Sequence, residues 1–149
     1  MYSDAALEQL ARDECLRLMA SVPVGRVIYT RRALPAVEVV NFALHEGDIV
    51  LRTDRSGKLA AAARGAVVAF EADWLDPGQH SGWSVTAIGP SREVTDPGEI
   101  AWLQTIGLSS WAPGAREHFI RISPVMLTGR YLRANGQEQE ARQPAGACA

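Results

Sequence analysis

The segment 51–65, LRTDRSGKLAAAARG, crowds cationic and hydroxyl side chains into the place where a strand ends and an alanine-rich helix begins. The first-turn N–H groups of a helix have no partner within the helix and carry partial positive charge, which favours an anion. Cationic and hydroxyl side chains add charge-assisted hydrogen bonds. The pattern predicts a phosphate site, with a solvated turn before an ordinary capped helix as the alternative. The residues of this predicted anion site are Arg52, Thr53, Ser56, Gly57 and Lys58.

A nucleoside-triphosphate loop of the Walker A type is excluded by two residues of the same segment. That loop needs a glycine five positions before Gly57, and it needs a Ser or Thr after the lysine to coordinate magnesium. This chain has Arg52 and Leu59 at those two positions. The predicted anion is therefore not a triphosphate held in that manner.

Two of the four tryptophans stand where a ligand could reach the indole. Trp83, in SGWSV, is flanked by small residues at the start of a predicted strand, so it either faces a planar ligand or fills the core. Trp111, in SSWAPG, follows a predicted helix, and loop aromatics often contact ligands or partner subunits. The alternative for Trp111 is a plug at one end of the fold.

The remaining chemistry-bearing residues predict neither a metal site nor an acid–base pair. Cys15 falls in an amphipathic helix pattern, where packing is the expected role. Glu38, between Val37 and Val39, is interpreted as the solvent face of an alternating strand. The histidines lack the close spacing of metal ligands; they are His45, His80 and His118. The sequence assigns no catalytic residue.

Two helices can be placed from their end signals. The first is predicted over 4–20, with Ser3 or Asp4 as its cap and, as an alternative, a break near Asp13. The second begins after Asp96, which caps it, with Pro97 in the first helical position. Both would flank the strands that carry the predicted sites.

The rest of the chain is dominated by six or seven short strands. Their hairpin-sized connections and alternating apolar residues favour antiparallel pairing over parallel pairing. The predicted fold class is mainly β with short flanking helices, an antiparallel barrel that is closed or nearly closed and so has few free edges. A single domain is expected over 1–133, and the polar segment 134–149 is expected to be disordered.

Size and composition restrict the function classes. The chain has 149 residues and a formal net charge of −2, which argues against general nucleic-acid binding. No apolar run approaches the ~18 residues of a membrane span, and no secretory signal is evident. Cys15 and Cys148 are expected to be free thiols, because a disulfide would tie the core to the polar tail. A cytoplasmic location fits these features.

Taken in chain order, five segments resemble the small pyridoxamine 5'-phosphate oxidase-like proteins of the FMN-binding split β-barrel family. The resemblance covers residues 14–133 and rests on the order and spacing of the segments. The segments are ECLRLMASVPVGRVIY, LPAVEVVNFALHEGDIVLRTDRSGKLAAAA, VAFEAD, SGWSVTAIG and ISPVMLTGR. The resemblance implies a Greek-key split barrel that forms a homodimer and binds two FMN molecules at the subunit interface.

The resemblance also implies which residues contact the cofactor. In relatives, an Arg-Thr strand end and a following lysine turn hold the FMN phosphate, and the matching positions are those of the predicted anion site. A Pro-Val-Asn segment lies along the flavin ring in relatives; here its proline is missing, so Asn41 is the better match. The family's Gly-Trp-Ser-Val segment would lie near the ring or across the dimer. The implied contacts outside the anion site are Val39, Val40, Asn41, Trp83, Ser84 and Trp111.

Two departures from the family narrow the expected activity. The turn reads Ser-Gly-Lys where Gly-Ser-Lys is common, which leaves open whether Ser56 or only the backbone of Gly57 meets the phosphate. The chain also lacks the Arg-rich C-terminal substrate segment of true pyridoxamine 5'-phosphate oxidases, so oxidation of vitamin B6 is not expected. The predicted function is an FMN-dependent oxidoreductase that passes hydride or electrons to a small planar substrate. The alternatives are a non-catalytic flavin-binding carrier or sensor and a deazaflavin-dependent reductase.

Overall fold

A computed structural model describes residues 7–53, 59, 64–109, 111 and 118–133. Leu59 is helical and buried. The helices and strands within the described ranges are β1 (Leu7–Gln9), α1 (Arg12–Ala20), β2 (Val24–Arg31), β3 (Leu34–His45), β4 (Asp48–Thr53), β5 (Val67–Asp76), β6 (Ser81–Glu93), α2 (Pro97–Leu103), β7 (His118–Ile122) and β8 (Met126–Leu132).

Six antiparallel strands close into a barrel. Their order around the barrel is β2, β3, β4, β7, β6 and β5, and β5 pairs with β2 to complete the ring. Because β5 returns to lie beside β2 after the β2–β3–β4 meander, these four strands form a Greek key. Outside the ring, β8 pairs with β6 and β1 pairs with β8. The predicted mainly β, antiparallel barrel is confirmed.

Strand β6 serves both the ring and the outer strand because it changes neighbours near Gly89. Its first part pairs with β8 and its last three residues pair with β7. A Cβ atom on Gly89 would lie 2.0 Å from the carbonyl oxygen of Ser123, where the chain leaves β7. Glycine is therefore required for this close approach, and the strand continues through Pro90 without interruption.

The apolar side chains form two buried layers. The larger fills the barrel and includes residues from β2 to β7 together with α1. The smaller lies between α2 and the outer face of β4 and β7; its members are Val50, Val94, Leu103, Leu108 and Phe119. Helix α2 begins as predicted, since the Asp96 side chain accepts a hydrogen bond from the Glu99 N–H across 2.8 Å. The predicted caps thus position the helix that closes the second layer.

The prediction of one helix over 4–20 is wrong in its first half. Residues Leu7–Gln9 form β1 against β8, and α1 begins only at Arg12. Ala11 precedes the helix and gives it no side-chain cap. Strand β8 lies outside the ring and would otherwise expose its backbone groups, so pairing with β1 satisfies an edge that local periodicity does not reveal.

The faces of β3 are the reverse of those expected from the sequence. Val37 and Val39 are 60% and 67% exposed, whereas Glu38 points to the opposite face. There Glu38 accepts a hydrogen bond from the buried Tyr29 hydroxyl across 2.7 Å. Burial, with a further effect of Glu38, raises the pKa of Tyr29 to about 12. The hydrogen bond from the Tyr29 hydroxyl offsets the cost of turning the Glu38 carboxylate away from solvent. The interpretation that Glu38 lies on the solvent face of the strand is wrong.

Cys15 is a core residue, as its helical pattern indicated. Its side chain is fully buried against Gly129, and burial raises the pKa of the thiol, which disfavours a reactive thiolate. Among the described residues, no helix is long and apolar enough to cross a membrane. The predictions for Cys148 and for the segment 134–149 lie outside the described residues.

Candidate functional site

Two residues predicted to contact the flavin ring are joined directly. The main-chain N–H of Trp111 donates to Oδ1 of Asn41 across 2.8 Å, although the two residues are far apart in sequence. The amide nitrogen of Asn41 makes a longer contact of 3.5 Å with the carbonyl oxygen of Pro23. Asn41 therefore fastens the segment after α2 to the start of β2 and the middle of β3.

Arg52 fastens the same segment from the neighbouring strand. Its Nη1 donates to the carbonyl oxygen of Leu108 across 3.1 Å, and its guanidinium lies 5.4 Å from the centre of the Phe119 ring. Asn41 precedes Phe42 on β3 and Arg52 follows Leu51 on β4, so both lie beside the cross-strand pair Phe42–Leu51. The structure thus brings Asn41, Arg52 and Trp111 to one edge of the second buried layer.

Thr53 lies on the other face of β4 because strand residues alternate. It is 5% exposed, and its hydroxyl has no hydrogen-bond partner in the described part of the chain. Its cross-strand neighbour is His118, whose Nδ1 lies 2.8 Å from Oε1 of Glu93. A buried hydroxyl without a partner is costly, so Thr53 marks a place suited to a polar ligand.

The remaining residues of the predicted anion site, Ser56, Gly57 and Lys58, lie outside the described residues. The described pair, Arg52 and Thr53, occupies opposite faces at the very end of β4. Both side chains can therefore reach a ligand only if that ligand sits beyond the strand end. This restricts the predicted site to the position where the chain leaves β4.

The other predicted ring contacts separate into surface and core residues. Val39 is exposed, while Val40 is half-buried against the barrel core. Trp83 is 7% exposed and belongs to that core, which is the alternative that its sequence context left open. Ser84 faces outward from β6, opposite Asp73 of β5. In this single chain, Val39 is the exposed member of the set.

Trp111 is the largest exposed side chain near Asn41. Its relative exposure is 70%, although its backbone is hydrogen-bonded. The alternative interpretation of Trp111 as a plug is therefore wrong, since a plug would be buried. An exposed indole on an anchored backbone is suited to contact with a ligand or a second subunit.

An apolar row crosses the outer face of five neighbouring strands. Each member is the direct cross-strand neighbour of the next, so the row spans about 19 Å at the usual strand spacing. Its ends are exposed and its centre is half-buried. The apolar row consists of Val37, Ile28, Ala69, Ile88 and Met126. Sequence reasoning missed it because each strand supplies only one residue and the register joins them.

A charged cluster borders the apolar row. Arg26 pairs with Glu71 at 3.0 Å and with Asp73 at 3.5 Å. Burial raises the pKa of Glu71, and the adjacent Asp73 carboxylate raises it further against the opposing effect of Arg26. The outer face is thus apolar in one row and carries Arg26 and Glu71 in the next, with Asp73 one row further.

Helix α2 is held to the barrel by a buried arginine that sequence reasoning also missed. Arg121 of β7 is 6% exposed and donates to Oδ2 of Asp48 across 3.0 Å. Its Nε faces Oε1 of Glu99 at 2.8 Å as an ion pair without hydrogen-bond alignment. Its Nη2 contacts Nδ1 of His45, whose ring lies 4.4 Å from that of Trp102. The signal in the sequence is an arginine between two isoleucines of a strand.

The fold and these contacts define a closed antiparallel barrel with an outer strand and a polar site at the end of one barrel strand. Residues 11–131 match the model of the pyridoxamine 5'-phosphate oxidase family, and the chain belongs to this family. The resemblance stated from the sequence segments is therefore confirmed.

Individual relatives are similar over most of the chain. An uncharacterised protein of Mycobacterium tuberculosis, Rv0080, is 43% identical over 134 residues, which cover 87% of this chain and 88% of the relative. The FAD binding protein from Mycobacterium smegmatis is 32% identical, with a TM-score of 0.71 over 85% of this chain and 98% of its own. A conserved protein of unknown function from Corynebacterium diphtheriae is 27% identical, with a TM-score of 0.72 over 85% and 98%.

Proposed function

We propose that the protein is a flavin-dependent oxidoreductase that binds FMN and passes hydride or electrons to a small planar substrate. The observation that carries the proposal is the buried hydroxyl of Thr53, which has no hydrogen-bond partner in the described ranges. Thr53 is the last residue of β4 and directly follows Arg52. A phosphate oxygen would accept its hydrogen bond. The likeness to an FAD binding protein supports a flavin as the molecule that carries the phosphate.

The residues present fit the phosphate of a flavin nucleotide. A guanidinium has five N–H groups, so one group of Arg52 can hold Leu108 while another faces an anion. Thr53 supplies a hydroxyl from the other side of the strand end, and Lys58 follows within the same segment. Charge-assisted hydrogen bonds from these groups would fix the phosphate end of the ligand.

The ring would lie along the surface between Val39 and Trp111. Both side chains are exposed and apolar, and Asn41, on the same face of β3 as Val39, accepts a hydrogen bond from the Trp111 N–H. When bound, the flavin supplies the hydride- or electron-carrying chemistry. The chain's own contribution is to hold the phosphate, orient the ring and exclude water from one side of it.

We further propose that a second copy of this chain covers the apolar row. A row of five apolar residues in register presents more continuous apolar surface than scattered exposed residues do. Arg26 beside Glu71 and Asp73 gives the same face both signs of charge, which suits self-complementary pairing about a two-fold axis. Val39 lies on this face beside Val37 of the apolar row, so the proposed ring surface would border the interface. We also propose a cytoplasmic location, as expected from the sequence.

One experiment tests the flavin proposal directly. The purified protein is examined by visible absorption and then titrated separately with riboflavin, FMN, FAD and a deazaflavin. We expect co-purified or tightly bound FMN, and weaker binding of riboflavin because it has no phosphate. A protein that takes up none of these ligands would rule the proposal out. Preference for FAD would keep the flavin and replace FMN, and preference for the deazaflavin would favour the deazaflavin-dependent reductase.

A non-catalytic flavin carrier or sensor is the second candidate, and one observation favours it. Val39, Asn41, Arg52, Thr53 and Trp111 carry no group that titrates near neutral pH. Hydride transfer to a flavin can proceed without such a group, so turnover separates the two functions. Reduction of bound FMN by NADH or NADPH, followed by reoxidation by a planar quinone or nitroaromatic compound, would support the enzyme. No turnover of pyridoxamine 5'-phosphate is expected.

A further inference from the structure

We propose that Asn41 is a positioning residue, which acts on the flavin by fixing Trp111 rather than by touching the ring with its own amide. This inference rests on the proposed function, since it concerns the same site. Its starting point is the 2.8 Å hydrogen bond from the Trp111 N–H to Oδ1 of Asn41. The acceptor oxygen of Asn41 is thus engaged within the chain.

The anchoring works at both ends of the short segment Leu108–Trp111. Leu108 is buried in the second layer, and its carbonyl oxygen is held by Arg52. Trp111 is held by Asn41 from the adjacent position on the neighbouring strand. Arg52 and Asn41, from two neighbouring strands, therefore hold the backbone at the two ends of the segment.

The side chain of Trp111 shows why this anchoring has a function beyond folding. An indole buried in a core would be fixed by its own packing, but Trp111 is 70% exposed. Its direction in the free protein depends on its backbone, and Asn41 determines where that backbone lies. A ring that is positioned before the ligand arrives loses less conformational freedom on binding.

Asn41 is itself oriented by the contact of its amide nitrogen with Pro23. The amide cannot turn to offer Nδ2 to Trp111 without presenting a donor to a donor. An aspartate at this position would keep the acceptor for the Trp111 N–H but lose the donor to Pro23, whereas a leucine of similar size would remove both. The two substitutions separate positioning from size.

The first readout needs no flavin. The protein is prepared with 5-fluorotryptophan, which gives one ¹⁹F signal for each of the four tryptophans, and Trp111→Phe identifies the Trp111 signal. We expect Asn41→Leu to shift or broaden the Trp111 signal alone and Asn41→Asp to leave it near the parent position. An unchanged Trp111 signal in Asn41→Leu would overturn the inference even if FMN binds.

The second readout is a double-mutant cycle on ligand affinity, measured with FMN and with lumiflavin, which has no phosphate. Loss of one hydrogen bond predicts that Asn41→Leu weakens lumiflavin binding about three- to tenfold. Trp111→Leu should weaken binding by at least as much, and the double variant should be no weaker than Trp111→Leu alone. Additive losses would mean that Asn41 contacts the flavin independently. Failure of the parent to bind any flavin would reject the proposed function, and the ¹⁹F readout would still decide the positioning role.

Discussion

Arg121 of β7 and Asp48 of β4 are joined by a 3.0 Å hydrogen-bonded ion pair beneath helix α2. The same guanidinium faces Glu99 of the helix, so one buried side chain ties β4 and α2 together. The segment that ends at Trp111 continues from this helix. The stability of the α2 layer and the placement of the proposed ring contact therefore share one support.

Replacing Arg121 with methionine should destabilise the fold by about 3 kcal/mol, because it leaves Asp48 without its cation and removes one of the two cations that pair with Glu99. Removing one partner of a buried ion pair costs about 3–5 kcal/mol. Asp48 and Glu99 are each about a quarter exposed, so we expect a cost near the lower value. Denaturant unfolding measures the effect. Arg92→Met is the matched control, since Arg92 also pairs with Glu99 but is 55% exposed, and it should cost under about 1 kcal/mol. Equal losses would mean that burial of Arg121 has no special role.

Val37→Asp should convert the proposed dimer into a monomer without unfolding it. Val37 is exposed in the single chain, so a carboxylate there costs little in the monomer but would be buried where a second copy covers this end of the apolar row. Sedimentation equilibrium measures the assembly, and circular dichroism checks the fold. Leu75→Asp is the control, because Leu75 is similarly exposed near the end of β5 and away from the apolar row. A parent protein that is monomeric at all concentrations would refute the dimer.

The sequence predicts the elements better than it predicts their faces. Alternation and end signals are local, so β3, β4 and the Asp96 cap could be recognised from a few adjacent residues. The apolar row could not, because its five residues become neighbours only through the register of five strands. Both faces of β3 carry apolar residues, and the face that is buried in one chain depends on Tyr29, which lies on another strand.

The same distinction holds for the candidate site. The exposed loop aromatic and the strand-end cations are visible as residue types in a segment, so Trp111 and Arg52 could be selected from the sequence. The bond between Asn41 and Trp111 joins distant parts of the chain through one side-chain oxygen, and no local pattern predicts it. Opposite orientation of Arg52 and Thr53 follows from strand alternation and could have been inferred.

Arg52→Ala and Lys58→Ala should each weaken FMN binding about tenfold to a hundredfold, the cost of a hydrogen bond to an ionised group. The two variants should differ with riboflavin. Arg52 also holds Leu108, so its loss should weaken riboflavin binding as well, whereas Lys58→Ala should leave riboflavin affinity unchanged. Fluorescence titration measures both ligands. FMN affinities equal to the parent in both variants would show that the phosphate lies elsewhere.

Acid should destabilise the contact between α1 and β8 through Glu14. Hydrogen bonds from Arg17 and from the Tyr131 hydroxyl lower the pKa of Glu14 from its usual 4.5 to about 2. The folded-state pKa lies below the unfolded value, so the stabilisation is complete above about pH 4.5 and is lost as the pH falls towards 2. Glu14→Gln should reduce this part of the pH dependence of unfolding. Asp13→Asn, at the exposed neighbouring position, is the control for the loss of one negative charge from the helix.

Thr53→Val should affect the free and the FMN-bound protein in opposite directions. Valine has nearly the same shape but no hydroxyl, so it removes a buried polar group that has no partner in the described part of the chain. The free protein should gain about 1 kcal/mol in its free energy of unfolding, because the desolvated hydroxyl is gone. FMN affinity should fall about tenfold or more, since the hydroxyl would donate to an ionised phosphate, while riboflavin affinity should not change.

Thr30→Val, at an exposed position of β2, is the control and should change neither the free energy of unfolding nor the FMN affinity. A stabilised Thr53→Val variant that binds FMN like the parent would show that this hydroxyl serves no anion, and the proposed phosphate position would be wrong.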